Sequence, residues 1–419
     1  MKAMMQAVRR GATAGIIAPC VLTMAALLAP AGAAHASGAG GLTGDWGGAR
    51  DALAAKGFNV RADATFVAQG VAAGAENRGL DGSGRGDLFV DIDSGRLGLW
   101  QGTGLHTHGE IRFADPRSNF GGQLLSSNTG ALTPLTGAGR FEATSIYISQ
   151  RIDQRTSLLV GKINVIDLLA ADPVFGGWGT QRFMNLVFVA PPSGVVPVTI
   201  MGGALVHRGR PIDVTVMVFD PKDRTGDYWI DGLFADGVNI SVGGTWNGRI
   251  AGRPSSIGFT STLSTQRGQD LGDVLLPPGL ESSTRKGSYN IGFQARHLLV
   301  ESPLQNGQGL TVSLRAAIAD GNPNVIEQSA ILGIAGHGMI PGRPHDSFGV
   351  GTFYYKFSNV LQDTLSPVAT FRDERGVEAW YSLAPTPWLR LTTDAQLISP
   401  ARGRQPTSLV LAIRGNIAF

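Results

Sequence analysis

From Ser408 to Phe419 the chain alternates by twos. Leu409, Leu411, Ile413, Ile417 and Phe419 fall on one side, and Ser408, Ala412, Arg414, Asn416 and Ala418 on the other. This is the period of a strand whose two faces meet unlike surroundings. The pattern recurs: Phe58, Val60, Ala62, Ala64 and Phe66 oppose Asn59, Arg61, Asp63 and Thr65, and Leu105, Thr107, Ile111 and Phe113 oppose His106, His108, Glu110 and Arg112. Further on, Leu310, Val312, Leu314, Ala316 and Ile318 oppose Thr311, Ser313 and Arg315. Near the end Val377, Ala379, Tyr381 and Leu383 oppose Glu378, Trp380 and Ser382. After a turn at Ala384-Pro385-Thr386-Pro387, Leu389, Leu391 and Leu397 oppose Arg390, Thr392, Asp394 and Gln396. Runs of about 9 to 12 residues exceed the usual five or six of a soluble strand and match a strand tilted across a bilayer.

A helical span is the competing way to cross a membrane. Leu186 to Val206 has the length and lacks charge, but Pro191, Pro192 and Pro197 with Gly194, Gly202 and Gly203 break it as a helix. It reads as a loop leading into a strand. Glycine numbers 59 of 419 residues, about twice average usage, with no triplet period; strands and turns account for it, and a collagen-like fold does not.

Residues 1–36 read as a removable export signal. Lys2, Arg9 and Arg10 form a basic head, Gly11 to Ala34 carries no charge, and Ala34-His35-Ala36 places small residues where a signal peptidase reads. Removing 36 of 419 residues leaves 383, beginning at Ser37, and takes three cations and no acid, so the formal charge of +3 falls to zero. The basic pI therefore gives no argument for a nucleic-acid partner. Cys20, the one cysteine, leaves with the signal, so the mature chain has neither disulfide framework nor thiolate metal site.

Export, absence of mature cysteine, long two-faced strands and a final strand ending on Phe419 together indicate an outer-membrane protein. In lipid only helices and closed barrels satisfy every backbone group, so such strands must close on themselves. The expected fold is all-β, a transmembrane antiparallel β-barrel at residues 58–419. Residues 37–57 precede it as a periplasmic segment with a short helix from Ala49 to Lys56; Asp45 accepts from its open amides and Gly57 ends it in a left-handed turn.

Particular residues add a family likeness. Leu42-Thr43-Gly44-Asp45-Trp46-Gly47-Gly48-Ala49-Arg50 resembles the opening segment of the carbohydrate-selective porins of the OprB type. The resemblance continues through Gly104-Leu105-His106, Ser145-Ile146-Tyr147-Ile148-Ser149-Gln150, Gly161-Lys162, Pro341-Gly342-Arg343-Pro344-His345-Asp346 and Thr386-Pro387-Trp388-Leu389 to the closing strand. It implies 16 strands and passive diffusion of sugars. Ser145 and Ser149 stand where relatives commonly carry acids, and Leu159 where a base is common. The unpatterned stretches Asp115 to Arg140, Leu168 to Val198, Pro221 to Asp236 and Thr265 to Gly287 are the expected loops, some of them folding inward to narrow the pore.

A sugar channel needs forked donors, acceptors and an aromatic platform. Arg61, Arg112, Arg315, Arg390 and Arg414 supply the first, Asp63, Glu110, Glu378 and Asp394 the second, and Trp380 or Tyr147 the third. His106, His108 and Glu110 share one strand face at a spacing open to a divalent metal, but a polar lumen row is the better reading, and no cofactor is expected. No Gly-x-Ser-x-Gly elbow, P-loop or His-Glu-x-x-His helix occurs. Gly82-Ser83-Gly84-Arg85-Gly86 reads as a flexible hairpin tip. Expected partners are sugar solutes, outer-membrane lipid and lipopolysaccharide, and the barrel assembly machinery through the Phe419 strand. A general diffusion pore without sugar preference, a barrel-embedded hydrolase and a soluble exported β protein remain the alternatives.

Overall fold

A computed structural model describes residues 40–74, 79–114, 123–190, 196–277 and 280–419. The export signal, its cleavage site and Cys20 lie outside the described residues. Sixteen strands follow in chain order: β1 (Phe58–Ala73), β2 (Leu80–Asp93), β3 (Thr103–Arg112), β4 (Phe141–Arg151), β5 (Thr156–Asn164), β6 (Thr199–Arg208), β7 (Ile212–Phe219) and β8 (Asn239–Ile250). The second half is β9 (Arg253–Gln269), β10 (Thr284–Glu301), β11 (Gly309–Ala319), β12 (Ile326–His337), β13 (Ser347–Phe357), β14 (Glu374–Thr386), β15 (Leu389–Ser399) and β16 (Ser408–Ala418). Each pairs antiparallel with its sequence neighbours, and β1 closes on β16 from Asp63 opposite Ala418 to Ala73 opposite Leu409. Among the described residues no helix is long and apolar enough to cross a membrane.

The wall is inside-out relative to a soluble protein. Phe66, Leu391 and Ile413 are 54%, 43% and 64% exposed on the outer face, whereas their neighbours Thr65, Thr392 and Arg414 are buried. Such continuous apolar exposure marks a lipid-facing surface. The two-residue alternation assigned these faces correctly because a one-residue slip would put every apolar side chain of a strand into the lumen.

The glycine run 82–86 is a correction. It lies within β2, not at a hairpin tip. Phe66 and Phe113, stacked with ring centroids 6.0 Å apart, cover its outer face, and a Cβ on Gly84 would stand 2.7 Å from the Phe113 ring. The glycines make room for that aromatic lid. The expected loop from Thr265 to Gly287 is likewise shorter, because β9 runs on to Gln269 and β10 begins at Thr284.

One rim carries the short connections at residues 94–102, 152–155, 209–211, 251–252, 302–308, 338–346 and 387–388. The other carries the longer ones, including 113–140, 165–198, 220–238 and 358–373. Barrels of this kind place short turns toward the periplasm. The leading segment lies at the short-turn rim. Helix α1 (Ala49–Ala55) starts after Gly48 at φ 91° and stops at Gly57, φ 96°; Asp45 Oδ1 accepts from Asp51 N at 3.2 Å. Arg50, almost fully buried, donates to the carbonyls of Phe419 (2.7 Å), Gly44 (3.0 Å) and Val60 (3.3 Å) and lies against the Trp46 ring. With Leu42 N donating to Ala418 O at 2.8 Å and Phe419 N to Ala62 O at 2.9 Å, the segment clasps the β1–β16 seam.

Candidate functional site: a lumen narrowed by inward loops

The chain after β3 and the chain after β5 turn into the barrel. Within them lie α2 (Thr129–Leu132), α3 (Val165–Leu169) and α4 (Leu186–Val189), each begun by an asparagine whose side chain accepts from the first turn: Asn128, Asn164 and Asn185. Their apolar side chains Phe175, Phe183, Val187 and Phe188 are fully buried against Trp380 of β14 and Phe353 of β13. Gly351 admits this contact, since a Cβ there would meet the Phe188 and Phe183 rings at 2.7 and 2.9 Å.

Most of the polar row expected to meet water instead holds these loops. Arg112 donates to the carbonyls of Ala131 (2.6 Å) and Leu132 (3.1 Å). Arg315 pairs with Asp172 at 3.0 Å and reaches Phe188 O, and Arg414 donates to Gly179 O (2.8 Å) and Arg182 O (2.6 Å). Glu378 accepts from Met184 N (2.6 Å) and Asn185 N (3.1 Å), with Asp394 and Gln396 beside it. Each of these groups, with Trp380, is buried. The reason is bookkeeping of polar groups: an irregular loop inside a barrel brings backbone carbonyls and amides that need partners, and the wall's charged row is what surrounds them. Arg112, Glu378, Arg315 and Arg414 therefore bond to the loops here, Trp380 packs against Phe183, and Asp394 bonds to Gln396 on the wall beside Glu378.

The same holds for His108 and Glu110. His108 Nε2 is 2.9 Å from Asp87 Oδ1 and its Nδ1 2.7 Å from Asp167 Oδ1 on α3. Arg85 donates to Asp87 at 2.6 and 2.8 Å and is ion-paired with Glu110. Trp178 Nε1 (2.8 Å) and Ser145 Oγ (2.6 Å) also donate to Asp167. Burial pushes the Asp167 carboxyl up, but the His108 charge and these hydrogen bonds hold it below the usual carboxylate range. Asp87, His108 and Glu110 offer atoms within 4.8 Å of one another, the one such grouping among the described residues. They do not form a metal site as arranged: both imidazole nitrogens face carboxylates, and Arg85 neutralises Asp87 and Glu110. Nor do they form a hydrolase triad, because Ser145 is bonded to Asp167 and not to His108.

A second set is half-buried on the inner face: Arg61, Asp63, Asp91, His106, Tyr147, Arg182, His337 and Arg390. Ladder register places Arg61 opposite Phe89, Asp91 opposite His106, and His106 opposite Tyr147, so β1 to β4 carry one continuous strip. His106 Nδ1 is 2.7 Å from Asp91 and its Nε2 2.8 Å from Ser149 Oγ, while its ring stacks on Tyr147 with centroids 4.8 Å apart. The Arg61 guanidinium lies 4.6 Å over the Phe89 ring and 3.8 Å from Asp91. Of the residues expected from sequence to line the pore, Arg61, Asp63, His106, Tyr147 and Arg390 lie in this set; Arg85, Asp87, Asp91, Asp167 and Arg182 were not among the expected residues. Asp87 and Asp91 follow the glycine run on β2, where Arg85 looked like part of a tip; Asp167 and Arg182 sit in loops without a period to betray their direction.

Sixteen antiparallel strands closed edge to edge, an apolar outer face and a polar lumen narrowed by loops define an outer-membrane porin. The carbohydrate-selective porin model of the OprB family matches residues 77–419, and the chain belongs to that family. Among solved structures, a high-pH structure of Pseudomonas putida OprB is 18% identical with a TM-score of 0.80, covering 92% of this chain and 99% of that one. A low-pH structure of the same protein gives 16% identity and a TM-score of 0.56, over 92% and 100%. No curated protein matches the sequence.

Proposed function

We propose that this porin passes mono- and small oligosaccharides passively, and that Arg61, Asp63, His106, Tyr147 and Arg390 are the wall residues that favour them. The observation supporting this reading is the strip from Arg61 to Tyr147. It combines a guanidinium, a carboxylate, an imidazole and a phenol, each half-open to the lumen, with aromatic faces, while Arg112, Arg315, Glu378 and Arg414 are taken up by the loops. Hydroxyls of a sugar exchange with such donors and acceptors, and its weakly apolar ring face suits an aromatic platform. Binding stays weak enough for release because the groups already partner one another.

Residues 1–36 are proposed to act as the export signal and residues 37–57 as the periplasmic lead-in. Lipopolysaccharide against the outer face and assembly machinery reading the Phe419 strand are the proposed partners beside the sugars. Liposome swelling with glucose, maltose and a size-matched amino acid tests the function: faster entry of the sugars is expected, slowed by Tyr147→Ala, and equal entry of all three reduces the protein to a general diffusion pore.

A further inference from the structure

The lumen's arginines divide into those with partners and those without. Arg85, Arg112, Arg315 and Arg414 are committed to loop or wall groups, and Arg61 is shared between Asp91 and Phe89. Arg182, carried into the barrel by the loop after β5, and Arg390 of β15 make no side-chain hydrogen bond or ion pair among the described residues; nor does Arg296 of β10, whose charge falls instead on Asp172 and Arg315. Arg182 Nε is moreover buried with no partner. Arg182 O accepts from Arg414 of β16, which stands opposite Thr392, two residues along β15 from Arg390, and the Arg390 charge acts on Arg182. Burial lowers the Arg182 pKa to about 10; Asp172 opposes that and the positive charge of Arg390 adds to it. Asp172 is already bound to Arg315, so it does not serve Arg182 as a counterion. His337, whose Nε2 donates to Pro173 O at 2.8 Å, senses the charge of both arginines, and Asp63 is the acid whose charge acts on Arg390. One carboxylate beside two guanidiniums leaves the space around them positive.

We propose that this space is a carboxylate-binding position, and that the channel favours sugar acids, uronic or aldonic, over neutral sugars of the same size. The inference rests on the sugar-channel reading and adds to it the charge of the solute. Two guanidiniums sharing one carboxylate in a narrow lumen are electrostatically costly, and an anion entering between them relieves that cost. Guanidinium suits the task because it is weakly hydrated and presents a planar fork that matches a carboxylate with two parallel bonds. Arg390 lies on β15, two strands from β1 around the wall, so a solute whose carboxylate sits at Arg390 and Arg182 extends its hydroxyls toward Asp63, Arg61 and the His106–Tyr147 pair. A neutral sugar finds the hydroxyl partners but leaves the guanidiniums unpaired.

The test uses the full mature chain in a planar bilayer at pH 7, reading the concentration at which a solute half-blocks the ion current. The probes are glucose, glucuronate and cyclohexanecarboxylate, the last being an anion of similar ring size without hydroxyls. Glucuronate is expected to half-block at about one-tenth the glucose concentration, the scale of one charge-assisted hydrogen bond. In Arg182→Gln the glucuronate-to-glucose ratio should fall to near one, and Arg182→Lys should recover part of it. A heat-dependent gel shift shows that each variant is folded. Equal half-block by glucose and glucuronate in the wild type overturns the inference and leaves the sugar reading standing. Block by cyclohexanecarboxylate at the glucuronate concentration overturns it in favour of plain anion binding. No block by either sugar removes the sugar reading, and this inference with it.

Discussion

Asp172 holds the inward loop after β5 to the wall. Its Oδ1 accepts from Val174 N and Phe175 N, both at 2.8 Å, and its Oδ2 takes the buried Arg315 guanidinium at 3.0 Å. Asp172→Ala leaves Arg315 with its contacts to Phe188 O and the Phe175 ring but no counterion, and strips a cap from the turn that aims Phe175 into the aromatic cluster. Removing one partner of a buried pair costs about 3 to 5 kcal/mol, and at about 1.4 kcal/mol per tenfold the loop should leave its seat about 100 to 4,000 times more often. The wall strands keep their ladder bonds, so the barrel should persist while single-channel records show excursions to higher conductance. Arg315→Met together with Asp172→Leu should quieten them again, because no charge is then stranded. Acid has the same target. Burial raises the Asp172 carboxyl, but the charges of Arg315 and Arg296 and the two amide bonds hold it below its ordinary value. A lowered folded pKa gives stability that is complete above the unfolded value near about 4 and fades as pH falls below it, so the loop should stay seated at pH 5 and loosen only under stronger acid. Unchanged conductance in Asp172→Ala, with unchanged amide exchange across residues 173–190, would refute the anchoring argument.

Three further outcomes are expected. Leu391→Arg places a charge on the lipid face and should cost about 2 to 4 kcal/mol near the bilayer midplane, read as lost heat-resistant folding; Arg390→Leu, on the lumen face, should fold and change ion selectivity. Arg50→Ala removes three hydrogen bonds at the β1–β16 seam and should lower the temperature of the gel shift, whereas Lys56→Ala, at the exposed end of α1, should not. Mature protein beginning at Ser37 should fractionate with the outer membrane, and N-terminal sequencing that finds Met1 intact there would rule out the cleavage.

The wall was legible because lipid and water sit on opposite sides of it. Leu391 beside Arg390, or Ile111 beside Arg112, announces its face through chemistry that a period of two preserves along the strand. The outer glycines of β2 broke that signal. Gly84 and Gly86 supply no apolar side chain of their own and borrow Phe66 and Phe113 from neighbouring segments, a contact that no local pattern records. Chemistry on the inner face was legible only to the level of polar. Whether Arg112 or Arg61 meets solute depends on where loops with no period come to rest, and an arginine in water and an arginine holding a carbonyl look alike in sequence.

Position along the strand settles that ambiguity. The inward loops enter from the long-loop rim, so they reach the inner-face groups nearest to it: His108, Glu110 and Arg112 close β3, and Glu378 lies near the start of β14. Arg61 is the fourth residue of β1, His106 the fourth of β3, Arg390 the second of β15 and His337 the last of β12. All four lie toward the short-turn rim, beyond most of the loop mass, and they stay half-open to the lumen. On the proposed function, pore width and solute choice therefore rest on different residues of the same polar rows. Substitutions at Arg112, Arg315 or Glu378 should act on conductance through loop seating, and those at Arg61, His106 or Arg390 on which solute passes. Within β3 the division falls between His106 and His108, one rung apart on the same face: the first keeps a ring face for Tyr147 and the lumen, while the second gives one nitrogen to Asp167 of α3 and the other to Asp87 of β2.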